Sequence, residues 1–339
     1  MRSVTITSPY TFSFSEMAMP PVLDGTVRVK MLQVGICASD VQVYHGLHKH
    51  MTYPVVQGHE GVGIVDKIGK GVERVASGDM VAIQPQFFCG NCFACKTGRI
   101  NVCEKLRFLG ISKDGLFTEY ITLPEWNAVK LPKGFTPDKG MLVEPFAVGV
   151  NAVRQGCVKN GDKVVVLGAG TIGNFTAQVA KALGAEVLIT DIQDEKLALA
   201  RMHGIDYCIN TCEKDLKTEI EFCFKGETPS VIFDCVAIPA IFKQAVACAA
   251  NATDIVIVGN YKDTIVLDVP MLQRREITLK SVMAYTRDNF LEAIALLEID
   301  KININGMISA RFPLYDLQQG YDYIEANPKT SMRIAIEMT

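Results

Sequence analysis

Cys89, Cys92, Cys95 and Cys103 lie on one short segment, CGNCFACKTGRINVC, spaced C-x2-C-x2-C-x7-C. Four thiolates this close can surround a metal tetrahedrally and leave no position open, which is how structural zinc is held. An iron–sulfur run of the bacterial kind ends C-x3-C-P, whereas here the last gap is seven residues and Glu104 follows Cys103. A second donor set has a different make-up: Cys37 in GICASD, His59 and Glu60 in VVQGHEG, and Glu144 in LVEPFAVGV. One thiolate, one imidazole and one carboxylate bind Zn²⁺ with a fourth position left for water or substrate, the arrangement of a catalytic site. Taken singly, a buried thiol, a hydrogen-bonded core histidine and a helix salt bridge would account for the same residues. Pro145 disfavours helix at the residue before it, so Glu144 is expected at an interruption of an apolar helix, near a domain junction.

A third constellation concerns phosphate. Gly168-Ala169-Gly170-Thr171-Ile172-Gly173 follows an apolar strand and opens a helical pattern, and Asp191 ends the next apolar strand. The first glycine permits the tight turn, the second lets backbone amides reach a pyrophosphate, and the third lets helix and strand pack closely. The helix N-terminus then attracts the anion. Asp191 would accept the ribose hydroxyls of an adenosine and repel a 2′-phosphate, and neither Ile192 nor Gln193 is basic, so NAD is favoured over NADP.

The chain of 339 residues is long enough for about two domains. Up to about Pro132, β-branched and alternating runs at Thr26–Val34, Gly61–Ile68, Met80–Gln84 and Phe117–Leu123 read as an antiparallel β domain. From Lys163 the pattern becomes strand, helix, strand: KVVVLGAG, TIGNFTAQVAKALG, EVLITD, EKLALARMHG and YCIN, with further strands at Ser230–Asp234 and Asp254–Val258 and a helix at Ile241–Ala250. Repeated βαβ units imply a parallel sheet covered by helices. A helix near Asn289–Glu298, a helix from Tyr315 and a closing strand RIAIEM suggest a return to the first domain.

Composition excludes other classes. Hydrophobic residues are 49% and charged residues 21%, typical of folded globular chains. The net charge of −3 gives no support to nucleic-acid binding, and no apolar run approaches the ~18 residues of a membrane span. With no secretory leader pattern and an odd number of cysteines, eleven, metal binding in a reducing cytoplasmic setting is the better reading than a disulfide framework.

GICASD, GHEGVGIV, GVERVASGDMVAI, the four-cysteine lobe, VEPFAVGVNAV, GAGTIG with Asp191, and RFPL resemble the zinc-containing medium-chain alcohol dehydrogenases, and within them the sorbitol (polyol) branch, over nearly the whole chain. The resemblance implies an α/β protein: a GroES-like β catalytic domain from residues 1–148 and 283–339, and a Rossmann doubly wound parallel-sheet domain over 149–282. The active site would lie in the cleft, and the assembly would be a homodimer or homotetramer. It also implies catalytic zinc on Cys37, His59 and a glutamate, either Glu60 as in the polyol branch or Glu144, together with structural zinc on the four-cysteine lobe. Thr171 and Ile172 would join the three glycines and Asp191 in holding NAD. Zinc would assist hydride transfer between NAD and a small alcohol or ketone, with Ser39 passing the proton outward through the cofactor ribose.

Two positions depart from that pattern. Where the family carries a relay histidine five residues after the zinc cysteine, this chain has Gln42, which cannot titrate near neutral pH. His45, with an unperturbed pKa of about 6.5, is the candidate replacement. Polyol enzymes of this kind commonly carry an arginine before the tyrosine of KSVMAY, where this chain has Ala284 before Tyr285, and the loss of that guanidinium fork disfavours sorbitol itself as the substrate. Tyr44, Phe108 and Tyr285 are candidate cleft linings or core aromatics; His48, His50 and His203 read as surface or packing residues. A secondary alcohol of a polyol, cyclitol or sugar is the expected substrate. L-Threonine or butanediol dehydrogenase is the alternative, and a non-catalytic NAD-binding redox sensor is the reading from another class.

Overall fold

The computed structural model describes residues 1–48 and 51–338, so His50 lies outside the described residues. The chain divides into two compact units, Met1–Glu144 with Asn305–Thr339, and Pro145–Ile304.

In the first unit a seven-stranded sheet runs in the order Ala128–Lys130, Met80–Ile83, Glu60–Ile68, Thr26–Ile36, Arg333–Glu337, Ile308–Pro313, with Tyr120–Pro124 also pairing to Thr26–Ile36. The strand Thr26–Ile36 is long enough to change partners along its length. Its first half pairs with Tyr120–Pro124 and its second half with Arg333–Glu337, both antiparallel. A separate three-stranded sheet is built from Arg2–Ser8, Thr11–Glu16 and Val55–Val56. The side chains that alternate inward, among them Val27, Val29, Met31, Val34, Val65 and Ile334, form one apolar core. The strand expected from Phe117 begins only at Tyr120. Before it, the Phe117 amide bonds Gln57 O and the Val4 amide bonds Phe117 O, so this stretch spends its backbone groups on a loop and a neighbouring strand rather than on the main ladder.

The second unit is a six-stranded parallel sheet ordered Tyr207–Asn210, Glu186–Asp191, Lys163–Leu167, Val231–Asp234, Asp254–Ile257, Thr278–Ser281. Numbered along the chain this is 3-2-1-4-5-6, the doubly wound order, whose switch point lies between the first and fourth strands. Its central strands are buried apart from Lys163 at the start of the first, as expected where helices cover both faces of a parallel sheet. Residues 283–304, assigned to the catalytic domain from sequence, group here with the second unit: Asn151 Nδ2 donates to Ala284 O at 2.8 Å, Glu292 pairs with Arg154, and Asn303 exchanges hydrogen bonds with Gln178.

The expected interruption at Glu144 is absent. Pro137–Gln155 is one continuous helix with Pro145 inside it. Pro145 lacks the amide that would bond to Met141 O, but Gly140–Ala147 is buried almost without a break, and tertiary packing holds the helix through the local penalty.

Candidate active site

The strand Thr26–Ile36 ends beside Cys37, which caps the helix Ala38–Tyr44, and the strand Glu60–Ile68 begins opposite Gly35. This register brings Cys37, His59 and Glu60 together, one ligand atom from each lying within 4.8 Å of the others. Gly35 leaves room for that carboxylate, since a Cβ there would sit 2.6 Å from Glu60 Oε2 and push it aside. His59 is 4% exposed and Glu60 1%, so the cluster is a buried polar group in an apolar sheet. His59 Nε2 lies 4.0 Å from Glu60 Oε1, and His59 Nδ1 lies 3.5 Å from Asp40 Oδ1.

Asp40, fully buried beside this cluster, is a residue that sequence reasoning missed. Its carboxylate accepts the Cys37 amide at 2.9 Å and the Gly58 amide at 3.4 Å, so one side chain orients the loops on both sides of the cluster. Burial alone would lower the His59 pKa, but the Asp40 carboxylate and then Cys37 raise it well above the ordinary histidine value. Arg333, also missed, lies 3.0 Å from Glu60 Oε2 through Nε and donates from Nη1 to Ile36 O at 3.2 Å. Burial draws on its charge, yet Glu60 first, then Cys37, Glu144 and Asp40, hold its pKa above the usual arginine value. The signal in the sequence was an arginine heading a strand whose next three residues, Ile334, Ala335 and Ile336, are apolar, because a buried cation needs an anion.

The donor set fits zinc. Glu60 Oε1 is buried without a hydrogen-bond partner while Arg333 stands beside Oε2, so one carboxylate oxygen is left to a cation that would relieve its burial cost. Glu144 is also buried but is not in the group whose ligand atoms converge. Phe108 packs edge-on against His59, with ring centroids 5.5 Å apart. Ser39 lies half-buried in the first turn after Cys37. Tyr44 and Tyr285 are core aromatics: Tyr44 packs on Tyr10, Phe12 and Tyr321, and Tyr285 on Phe290. His203 is buried against Asn174 and Gln178, and His48 is half-buried. His45 Nε2 meets Glu325 Oε1 at 2.5 Å and its ring stacks on Tyr10.

The four lobe cysteines also converge, their sulfurs all within 4.8 Å. Cys103 Sγ is 3.5 Å from Cys89 Sγ and accepts the amides of Cys89 and Lys105, each at 3.3 Å. Backbone amides of Asn91 and Cys92 draw the Cys89 pKa down to about 6, while desolvation and the neighbouring Cys92 push Cys95 up to about 12. Four sulfurs at this range cannot all carry charge without a cation among them, and a tetrahedral site supplies one.

In the second unit Gly168 has φ +98° and Gly170 caps the helix Thr171–Ala182. A Cβ on Gly173 would lie 1.8 Å from Gly168 O, whereas one on Gly170 would meet nothing within 4 Å, which leaves the open side of that turn to a ligand. Asp191 ties the loop to the strand end by accepting the amides of Ala169 at 2.8 Å, Ile192 at 2.8 Å and Gln193 at 3.0 Å. Thr171 and Ile172 form the first turn of the helix.

Residues 23–133 match the alcohol dehydrogenase GroES-like domain model, and residues 171–298 match the zinc-binding dehydrogenase model. The chain is 38% identical over 261 residues to the starvation-sensing protein RspB of Escherichia coli K12, covering 76% of each chain. It is 31% identical over 314 residues to 2-dehydro-3-deoxy-L-galactonate 5-dehydrogenase of Pseudoalteromonas atlantica, covering 92% of each. The crystal structure of the rspB alcohol dehydrogenase of E. coli CFT073 with NADH superposes with a TM-score of 0.93 at 32% identity, over 100% of this chain and 99% of that one. These matches span both units, and the chain belongs to the zinc-containing medium-chain alcohol dehydrogenases, a family of oxidoreductases.

Proposed function

We propose that this protein oxidises a secondary alcohol of a polyol, cyclitol or sugar-derived acid with NAD. The observation that carries the reading is the convergence of Cys37, His59 and Glu60, with Asp40 fixing the imidazole and Arg333 holding the carboxylate. A three-ligand set with a carboxylate in place of a third cysteine resembles the polyol branch, and the relative from P. atlantica carries a dehydrogenase name for a sugar acid. Zinc, when bound, would supply Lewis acidity at the alcohol oxygen, and NAD would accept the hydride.

The chain's own residues supply the rest. Asp40 keeps His59 Nδ1 on the far side of the ring, so that Nε2 faces the ligand position beside Glu60. Phe108 covers one edge of the imidazole and keeps water from that side. Ser39 Oγ accepts a hydrogen bond from the substrate hydroxyl and gives up its own hydrogen outward, so that it relays the departing proton without holding it. His45, paired with Glu325 in a half-exposed position, replaces the titratable group that Gln42 lacks and returns that proton to solvent. Asp191 recognises the adenosine ribose once a ligand displaces its loop amides. Glu144 contributes negative charge near Arg333, and its absence from the converging group supports reading it as a neighbour of the metal.

The test is NADH formation by zinc-replete protein across polyols, inositols, sugar acids, diols and threonine, with NADP and a zinc-chelated sample alongside. Zinc-dependent turnover of a sugar-derived alcohol with NAD supports the reading. Turnover confined to threonine or butanediol replaces it with the alternative, and NAD binding without turnover on any member favours a sensor. His45→Ala tests the relay: an unchanged pH–rate profile removes His45 from the proposal.

A further inference from the structure

The first unit contains a cavity of about 650 Å³ walled by Phe88, Cys89, Lys105, Arg107 and Trp126. That size falls within the range of small-ligand pockets. Its interior is aromatic: the Phe88 and Trp126 rings meet edge to face at 5.3 Å, with Phe87 beside them. Its surroundings are cationic. Lys105 and Arg107 stand on the wall, the Arg74 guanidinium lies 6.0 Å from the Trp126 ring centre, and the Lys113 ammonium lies 4.7 Å from that of Phe87.

Among the described residues none of these four side chains has a carboxylate partner. Glu125, the nearest acid in the turn that carries Trp126, is already engaged by the backbone amides of Glu73 and Arg74. Glu104 is exposed and is not a wall residue. In a chain of net charge −3, four unpaired cations around one aromatic cavity are a local reversal of the overall balance.

We propose that this cavity binds an aromatic anion: a small molecule whose ring packs against the exposed faces of the Phe88–Trp126 pair and whose acidic group is met by Lys105 and Arg107. Edge-to-face and stacked ring contacts orient the aromatic part, and a guanidinium offers two parallel donors to an oxyanion. The site is also mechanically joined to the four-cysteine lobe. Cys89 is in its wall, and the Lys105 amide donates to Cys103 Sγ at 3.3 Å. An occupant holding the Lys105–Arg107 segment therefore slows loss of the lobe metal.

Trp126 is the only tryptophan in the chain, so the emission has a single source, in the wall of this cavity. The experiment titrates full-length, zinc-loaded protein with 1-anilinonaphthalene-8-sulfonate, an aryl sulfonate. The expected result is saturable quenching of Trp126 that excess NAD does not reverse, with affinity reduced at least fivefold in the Lys105→Ala/Arg107→Ala double variant. The uncharged analogue N-phenyl-1-naphthylamine should bind at least fivefold more weakly, and the sulfonate should slow zinc transfer from the lobe to a chromogenic chelator. NAD binding by the double variant, unchanged from the parent protein, shows that it is folded. No quenching of Trp126, displacement by NAD, or equal affinity in the double variant or for the uncharged analogue would each overturn the proposal. So would loss of probe binding as the chains self-associate, which would give the cavity to a second copy.

Discussion

Asp40 is where a single atom type decides most. Its oxygens face the Cys37 amide, the Gly58 amide and His59 Nδ1, and it is fully buried. Asp40→Asn keeps the shape but removes the charge, and replaces one acceptor with an NH₂ group directed at donors. Partners of this kind beyond the ligands set metal affinity by about 10–100-fold. After dialysis against a mild chelator the variant should therefore retain zinc on the four-cysteine lobe and lose it from the Cys37 cluster, and metal analysis should show about half the zinc of the parent protein. Equal retention at both sites would mean that Asp40 serves the fold alone. The glycines of the dinucleotide loop separate in the same way. Gly173→Ala places a methyl group 1.8 Å from Gly168 O, so the helix must shift and both stability and NAD binding should fall. Gly170→Ala meets nothing in the free protein, so its thermal midpoint should be unchanged while NAD affinity drops at least tenfold. Differential scanning fluorimetry with and without NAD reads both variants.

Elements from distant parts of the chain are fastened to one another by pairs whose strength depends on pH. The first turn of the helix Pro137–Gln155 carries Asp138, which Arg311 of the strand Ile308–Pro313 grips through two bonds of 2.8 and 2.6 Å. Arg311 is the main cause that holds the Asp138 carboxyl below its ordinary pKa. A depressed folded-state pKa means that this stabilisation is complete above the unfolded carboxylate value and fades as pH falls through the folded one. Both side chains are partly exposed, so the contribution is at most about 1 kcal/mol. Urea midpoints of the parent protein and Asp138→Asn should differ at pH 7 and converge towards pH 3. A difference that persists in acid would assign the effect to packing.

Across the whole molecule, ligands act by mass action on the folded state. NAD at 100 times its dissociation constant should raise unfolding stability by about 2.7 kcal/mol. NADP at the same concentration should do much less, because Asp191 repels its extra phosphate and no basic residue follows in Ile192 or Gln193. An equal rise in melting temperature with both nucleotides would overturn that preference. Among the described residues no helix is long and apolar enough to cross a membrane.

The residue strings alone carried the chemistry that depends on local spacing. Four cysteines within fifteen residues, a glycine turn between an apolar strand and a helix, and an acid at the next strand end are each set by short-range geometry, and the sequence was enough to read them. The strand–helix alternation likewise foretold the parallel sheet, because periodicity of burial is written in the side chains. What required the tertiary structure was everything that depends on distant segments meeting. Only the pairing of Thr26–Ile36 with both Glu60–Ile68 and Arg333–Glu337 could bring Arg333 to Glu60 across 273 positions, and only that register separates Glu60, inside the converging group, from Glu144, outside it. The same is true of Pro145, whose local preference pointed to a break. Burial along that helix outweighs a single missing hydrogen bond, because packing energy is summed over many contacts and a backbone preference is exerted at one position.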